Sequence, residues 1–275
     1  MTAFAGTSVS SVSRQDRVTN AIAMASRRTG VDFGYLLGQA KIESSLNPTA
    51  KAATSSATGL YQFIDQSWLA VVNNHGSEYG LGWAADAIQR GQNGRYYVSD
   101  PDLRQQIMDL RKHPETASVM AAEHAADNKN YLEQKLGREA EPADLYLAHF
   151  LGVGGASKFL AANDRAPNAT AASLFPAAAR ANRSIFYDRQ GNPRSFADIR
   201  ENFANKLERG AASVTGKAVP MQADWSLPAG SKTVQPSDYV RIETERLAQS
   251  TGIDTMKPQP DTARLAYLML ATFGR

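Results

Sequence analysis

Glu43 is the residue whose setting best suits acid–base chemistry. It lies in the stretch GQAKIESSLNPTAKAATSSATGLYQFIDQSW, residues 38–68. Leu36, Ala40 and Glu43 fall at helical spacing and share one face, which is mostly apolar upstream. A carboxylate on such a face is partly stripped of water, and that disfavours its charged form. A carboxylic acid held neutral near pH 7 can donate a proton to a leaving oxygen. The helix must stop soon after Glu43, because Pro48 disfavours a helical Asn47 and has no N–H to donate. The carboxyl therefore stands near a helix end, where a cleft can open.

The elements that position it can be read in the same stretch. Asp32 is a good N-cap for the helix carrying Glu43. Residues 49–58 form a loop of Ala, Ser and Thr with one Lys. Gly59 permits a turn or a close backbone approach. Leu60, Tyr61, Gln62 and Phe63 follow, and Asp65 is predicted to cap the next helix, which includes Trp68. A cap is favoured there over a second catalytic carboxylate.

A lone helical Glu is ordinarily a solvated surface group. Three blocks in order and at matching spacing reverse that presumption. They are Glu43-Ser44 with Asn47-Pro48 and Ala50, then Gly59-Leu60-Tyr61-Gln62, then Ala148-His149-Phe150-Leu151-Gly152. Together they resemble the soluble lytic transglycosylase family, which is related to goose-type lysozymes, over roughly residues 16–165. The family usually reads Gly-Leu-Met-Gln in the second block and Ala-Tyr-Asn-Ala-Gly in the third.

The resemblance implies a mainly α, lysozyme-like domain, with room for a small hairpin near the active site. It implies peptidoglycan glycan strands as substrate, and a single Glu in two roles. Glu43 would protonate the oxygen between N-acetylmuramic acid and N-acetylglucosamine, then take a proton from the C6 hydroxyl that attacks C1. The product is a 1,6-anhydro end, formed with no cofactor and no metal. Substrate contacts are expected from Ser44, from Ser55 or Ser56 in the loop, and from Tyr61, Gln62, Tyr146 and His149. Gln62 would bond a sugar or Glu43, and Tyr61 could stack on a sugar face. Two departures matter. Tyr61 stands where the family has Met, and His149-Phe150 replaces Tyr-Asn. The family's Tyr holds the catalytic Glu by its hydroxyl, so His149, or Tyr146 three residues earlier on the same face, is expected to take over. A charged His149 would oppose the acid role, so the active form calls for a neutral imidazole or a hydroxyl partner.

The rest of the chain sets bounds. Its 275 residues allow one large domain with an appendage. Hydrophobic content of 43% and charged content of 21% are ordinary for a globular protein. A net charge of +3 is too weak to argue for nucleic acid. The absence of cysteine excludes disulfides and thiolate metal sites. No stretch is long and apolar enough to predict a membrane span.

Residues 1–14 read as a flexible Ser/Thr-rich leader without the pattern of a secretory signal. The catalytic domain is placed at 15–209, a Gly/Ala/Ser/Thr/Pro-rich linker at 210–236, and a helical tail at 237–275. Helices are predicted over 15–28, up to Glu43, through 69–74, near 84–90, from Pro101, from Pro114 to about 136, from Pro142 through the third block, over 156–162, and over 195–209. Residues 152–155 are predicted to break the pattern. The resemblance places the protein in the periplasm or cell wall. The apolar run near the C-terminus then suggests either packing on the domain or docking to a flagellar or secretion apparatus.

Overall fold

The computed structural model describes residues 14–53, 55–217 and 219. Most of the leader, the bulk of the linker and the whole 237–275 tail lie outside the described residues.

The described chain is mainly helical. Helix α1 (Arg14–Thr29) ends at Gly30, and α2 (Phe33–Ser44) begins at Asp32, whose Oδ1 accepts from Tyr35 N at 2.7 Å. Then come α3 (Asp65–His75), α4 (Gly82–Ala87) and a two-stranded antiparallel hairpin, β1 (Gln89–Arg90) with β2 (Tyr96–Tyr97). The hairpin falls where a loop and the end of a helix were predicted. Gln66 of α3 ties it down, accepting from Tyr96 N and donating to Tyr96 O.

Helix α5 (Pro101–Asp109) is capped by Asp100, and α6 (Pro114–Leu136) stops at Gly137 in the left-handed conformation. Helix α7 (Pro142–Arg165) carries the third block. The predicted break is there but narrower: Gly152, at φ 71° and ψ 154°, leaves helical geometry and joins two helical segments across a kink, and residues 153–155 are helical again. Three short helices follow, α8 (Ala171–Leu174), α9 (Pro176–Ala181) and α10 (Arg183–Phe186). The last is α11 (Phe196–Thr215), with a Ser195/Asp198 capping box. It runs six residues past the predicted start of the linker.

Helix α2 is the centre of the packing. The expectation of one apolar face is too narrow, because residues 34–40 are all buried along with Glu43 and Ser44. A helix apolar all round belongs inside a core. Its closest neighbour is α11. A Cβ built on Gly38 would lie 2.6 Å from the carbonyl oxygen of Leu207, and Gly210 abuts Gly38 in turn. Small residues at this crossing let the two backbones touch.

Helix α6 packs against α1 on one side and α7 on the other, and α7 also packs against α11. By length and composition α7 is apolar enough to span a bilayer. Here its apolar residues are core: Leu145, Tyr146, Leu147, Phe150, Phe159 and Leu160 are all at most 1% exposed.

Candidate active site

The end of α2 sets the position of Glu43. Two non-glycine residues, Ser45 (φ 54°) and Leu46 (φ 64°), turn the chain left-handed and close the helix. Ser45 N donates to Lys41 O at 3.0 Å and Leu46 N to Ala40 O at 3.3 Å, so the final carbonyls are satisfied. The stop is made by this pair, before Pro48 is reached.

The second block folds onto that end as a tight loop. Gly59 N donates to Ala50 O at 2.7 Å, and Thr58 N to Phe63 O at 3.2 Å. Gly59 has φ 85°, and a Cβ there would lie 2.1 Å from the Arg111 carbonyl oxygen, so only glycine fits. Arg111 clamps the loop from outside. Its Nη1 donates to Ser56 O, Phe63 O and Asp65 Oδ1, and its Nε to Met108 O. Burial pulls the Arg111 pKa down, and Asp65 opposes that pull.

Glu43 is 1% exposed. Its Oε1 accepts from the Tyr146 hydroxyl at 2.9 Å, and His149 Nε2 lies 3.3 Å from the same oxygen. Both expected alternatives therefore meet the carboxyl. They project from one face of α7, with ring centroids 5.9 Å apart and planes 29° apart. Phe203 of α11 packs edge-on against Tyr146 at 5.1 Å and fixes its ring. Burial, the charge of Glu43 and the hydrogen bond all push the Tyr146 phenol well above its ordinary pKa. It stays protonated and remains a donor.

Two members of the neighbourhood were missed from the sequence. Tyr35 stands two turns before Glu43 on the same helix, and burial, Tyr61 and Glu43 together raise its pKa. The spacing 35, 39, 43 carried that signal. His124 of α6 is crowded by protein on most sides yet keeps some accessible surface. Burial pushes its pKa down to about 4, helped by nearby His149, and its ring lies 5.9 Å from that of Phe63. No local motif in α6 marked it.

Several expected substrate contacts are engaged elsewhere. Ser44 is buried, with its hydroxyl directed at Leu60 O (2.8 Å) and Ala40 O (3.1 Å), so it joins α2 to the second block. Gln62, at φ 49° and 3% exposed, donates to Gly59 O at 2.9 Å and Ala50 O at 3.2 Å; its amide bonds the loop rather than Glu43. Tyr61 is 1% exposed and offers no face to a sugar, which corrects the stacking expectation. Its hydroxyl lies beside that of Ser118, and neither makes a well-formed hydrogen bond.

Ser55 Oγ accepts from Ala57 N within the loop. Ser56 Oγ accepts from Asp65 N and so covers the start of α3. The predicted cap is corrected accordingly: Ile64 occupies the N-cap position, and Asp65 instead pairs with Arg104 at 2.6 Å and Arg111 at 2.9 Å. Among the described residues no group of three His, Asp or Glu is arranged to hold a metal ion.

The arrangement is a buried carboxyl whose Oε1 accepts a hydrogen bond from a phenol, with an imidazole nitrogen 3.3 Å from the same oxygen. Such a group can pass a proton in either direction. No model of a known protein family matches the chain.

Proposed function

We propose that this protein is a peptidoglycan lytic transglycosylase with a lysozyme-like catalytic domain, and that Glu43 is its acid and then its base. The observation that carries the reading is the buried Glu43 carboxyl held through Oε1 by the Tyr146 hydroxyl at 2.9 Å. The three sequence blocks support it: the second folds against the end of α2 through Ser44, and the third brings Tyr146 and His149 to Glu43.

Glu43 gives its proton to the oxygen linking N-acetylmuramic acid to N-acetylglucosamine. The substrate's own N-acetyl group steadies the cationic carbon. The ionised Glu43 then takes the C6 hydroxyl proton as that oxygen closes on C1. The acid ends the cycle protonated, as it began. An internal hydroxyl acts at high effective concentration and needs no second carboxylate. The other carboxylate of the motif, Asp65, is held by two arginines, which favours the one-carboxylate route over an acid–base pair. The proposed place of action is the periplasm or cell wall. Docking of the 237–275 segment to a flagellar or secretion apparatus is proposed on the sequence alone.

The test is Glu43→Gln assayed on isolated peptidoglycan. Turnover is expected to fall by about 100-fold to 10,000-fold with the fold intact. Near-normal release by the variant would sink the assignment. Product mass separates the rivals: anhydro ends are lighter by one water than those of a hydrolytic muramidase, and a non-catalytic wall-binding protein releases nothing.

A further inference from the structure

The β1–β2 hairpin is firmly anchored, yet it presents an aromatic ring to solvent. Gln66 of α3 grips it at Tyr96: Nε2 donates to Tyr96 O at 2.9 Å and Oε1 accepts from Tyr96 N at 3.0 Å. Asn73, later in α3, donates to Ala85 O and Ile88 O at 3.2 Å and fixes the approach to β1. Ile88 and Val98, which flank the strands, are buried. Gly91 N donates to Arg95 O and Gly94 N to Gly91 O, both at 2.9 Å, and these bonds close the turn. An isolated two-stranded hairpin is marginal in water, so the order of this one comes from its anchors.

Strand register decides what each face offers. Arg90 pairs with Tyr96 and Gln89 with Tyr97. Successive side chains point to opposite faces. On the first face the Arg90 guanidinium lies 5.7 Å from the Tyr96 ring centroid. On the second, Tyr97 is 45% exposed and Gln89 opposite it is exposed too. A Cβ on Gly91 would lie 3.7 Å from Tyr97 Cε1, so the ring edge lies along the bare turn and its direction is set. Residues 87–99 carry two Arg, three amides and no carboxylate.

We propose that the Tyr97–Gln89 face of the hairpin is a glycan-binding subsite separate from Glu43, with Tyr97 stacked on a sugar ring and Gln89 bonded to its hydroxyls. The inference rests on the reading of the substrate as a glycan strand. A pyranose has an apolar face of C–H groups and a rim of hydroxyls. The first covers an aromatic ring, and the second is met by an amide, which both donates and accepts. The guanidinium groups of Arg90 and Arg95 suit a polymer whose side groups bear carboxylates. The hairpin is also continuous with the candidate site. Gln66 stands in the first turn of α3, just after the second block, and Ser44 Oγ donating to Leu60 O at 2.8 Å joins that block to the end of α2. A polymer seated at Glu43 extends beyond it, and a ring fixed to the same framework gives it a second hold.

The test is binding of soluble, uncrosslinked glycan strands, measured by calorimetry in the Glu43→Gln background so that no turnover is needed. Adding Tyr97→Ala is expected to weaken binding by about 3-fold to 10-fold. Tyr97→Phe keeps the ring and is expected to stay within about 2-fold. Gln89→Ala is expected to lose about 3-fold. Tyr131 of α6 is 39% exposed and outside the hairpin, so Tyr131→Ala is expected to change nothing. With Glu43 intact, Tyr97→Ala is expected to raise KM on the same strands. Unchanged binding in Tyr97→Ala would overturn the proposal and leave the ring to a protein partner. Equal losses in Tyr97→Ala and Tyr131→Ala, or in Tyr97→Ala and Tyr97→Phe, would overturn it as well. The single variant Glu43→Gln separates the two levels of argument. If it remains active, the assignment of Glu43 fails while the binding result still stands. If it is inactive and Tyr97→Ala binds normally, only the subsite fails.

Discussion

Hydrogen-bonded to a phenol and approached by an imidazole, Glu43 differs from the surface carboxylates of this chain in what surrounds it, not in its own chemistry. Tyr61 makes the complementary case. Its position in the second block suggested a sugar-stacking ring, but burial puts it in the core behind the site. Its hydroxyl is buried beside that of Ser118 without a well-formed hydrogen bond. Removing a poorly satisfied hydroxyl costs little and can stabilise. Tyr61→Phe is therefore expected to keep turnover and KM close to the starting values, with stability within about 1 kcal/mol. Urea unfolding and a glycan-release assay check both parts. A large rise in KM would restore Tyr61 to the sugar site.

At the scale of elements, the placement of Glu43 depends on how closely α2 approaches α11. Gly38 stands one turn before Ile42 and Glu43, and its missing Cβ is what admits the Leu207 carbonyl. Backbone on backbone has no rotamer with which to yield. Gly38→Ala is expected to force the helices apart at a cost of about 2 kcal/mol. Because Glu43 rides on α2 while Tyr146 rides on α7, the 2.9 Å contact opens as well. Activity should fall by about 10-fold or more under conditions where the variant is still folded. A variant that loses stability but keeps full turnover would show that the carboxyl tolerates this displacement.

The same crossing explains what the sequence disclosed and what it hid. Helix starts with a Pro or Asp signature, at Asp32, Asp100, Pro114 and Pro142, were legible because capping is local chemistry. Glu43 was legible through three blocks in register. The end of α11 was not, because Gly210 reads as a linker residue until α2 is seen lying against it. Asp65 read as a cap because caps are common. Its true partners, Arg104 and Arg111, stand 39 and 46 residues away. Ser44 and Gln62 likewise took roles in a loop whose carbonyls only the fold brings within reach.

For the molecule as a whole, two histidines couple stability to pH with opposite signs. His75 at the end of α3 meets Asp127 of α6 at 2.9 Å, with Glu123 and Glu78 at 3.6 and 3.8 Å. The hydrogen bond to Asp127 raises its pKa against the opposing effect of burial, and Glu123 and Glu78 add to the rise. Its contribution is fully present below the ordinary value of 6.5 and is lost as pH rises through the higher folded value.

His124, packed near Phe63 and His149, behaves in the reverse sense. Above pH 6.5 it is neutral in both states, and its contribution to the fold is intact. As pH falls below 6.5 the unfolded chain takes up a proton that the fold refuses, and stability drains away until about pH 4. Partial access to solvent limits the loss to roughly 2 kcal/mol. Phenylalanine has a similar shape and no proton to gain. His124→Phe is expected to match the unsubstituted protein at pH 8 and to exceed it in urea midpoint at pH 5, while His75 and its carboxylates contribute equally to both proteins. Parallel stability curves for the two proteins from pH 8 to 5 would mean that His124 is protonated as readily in the fold as outside it.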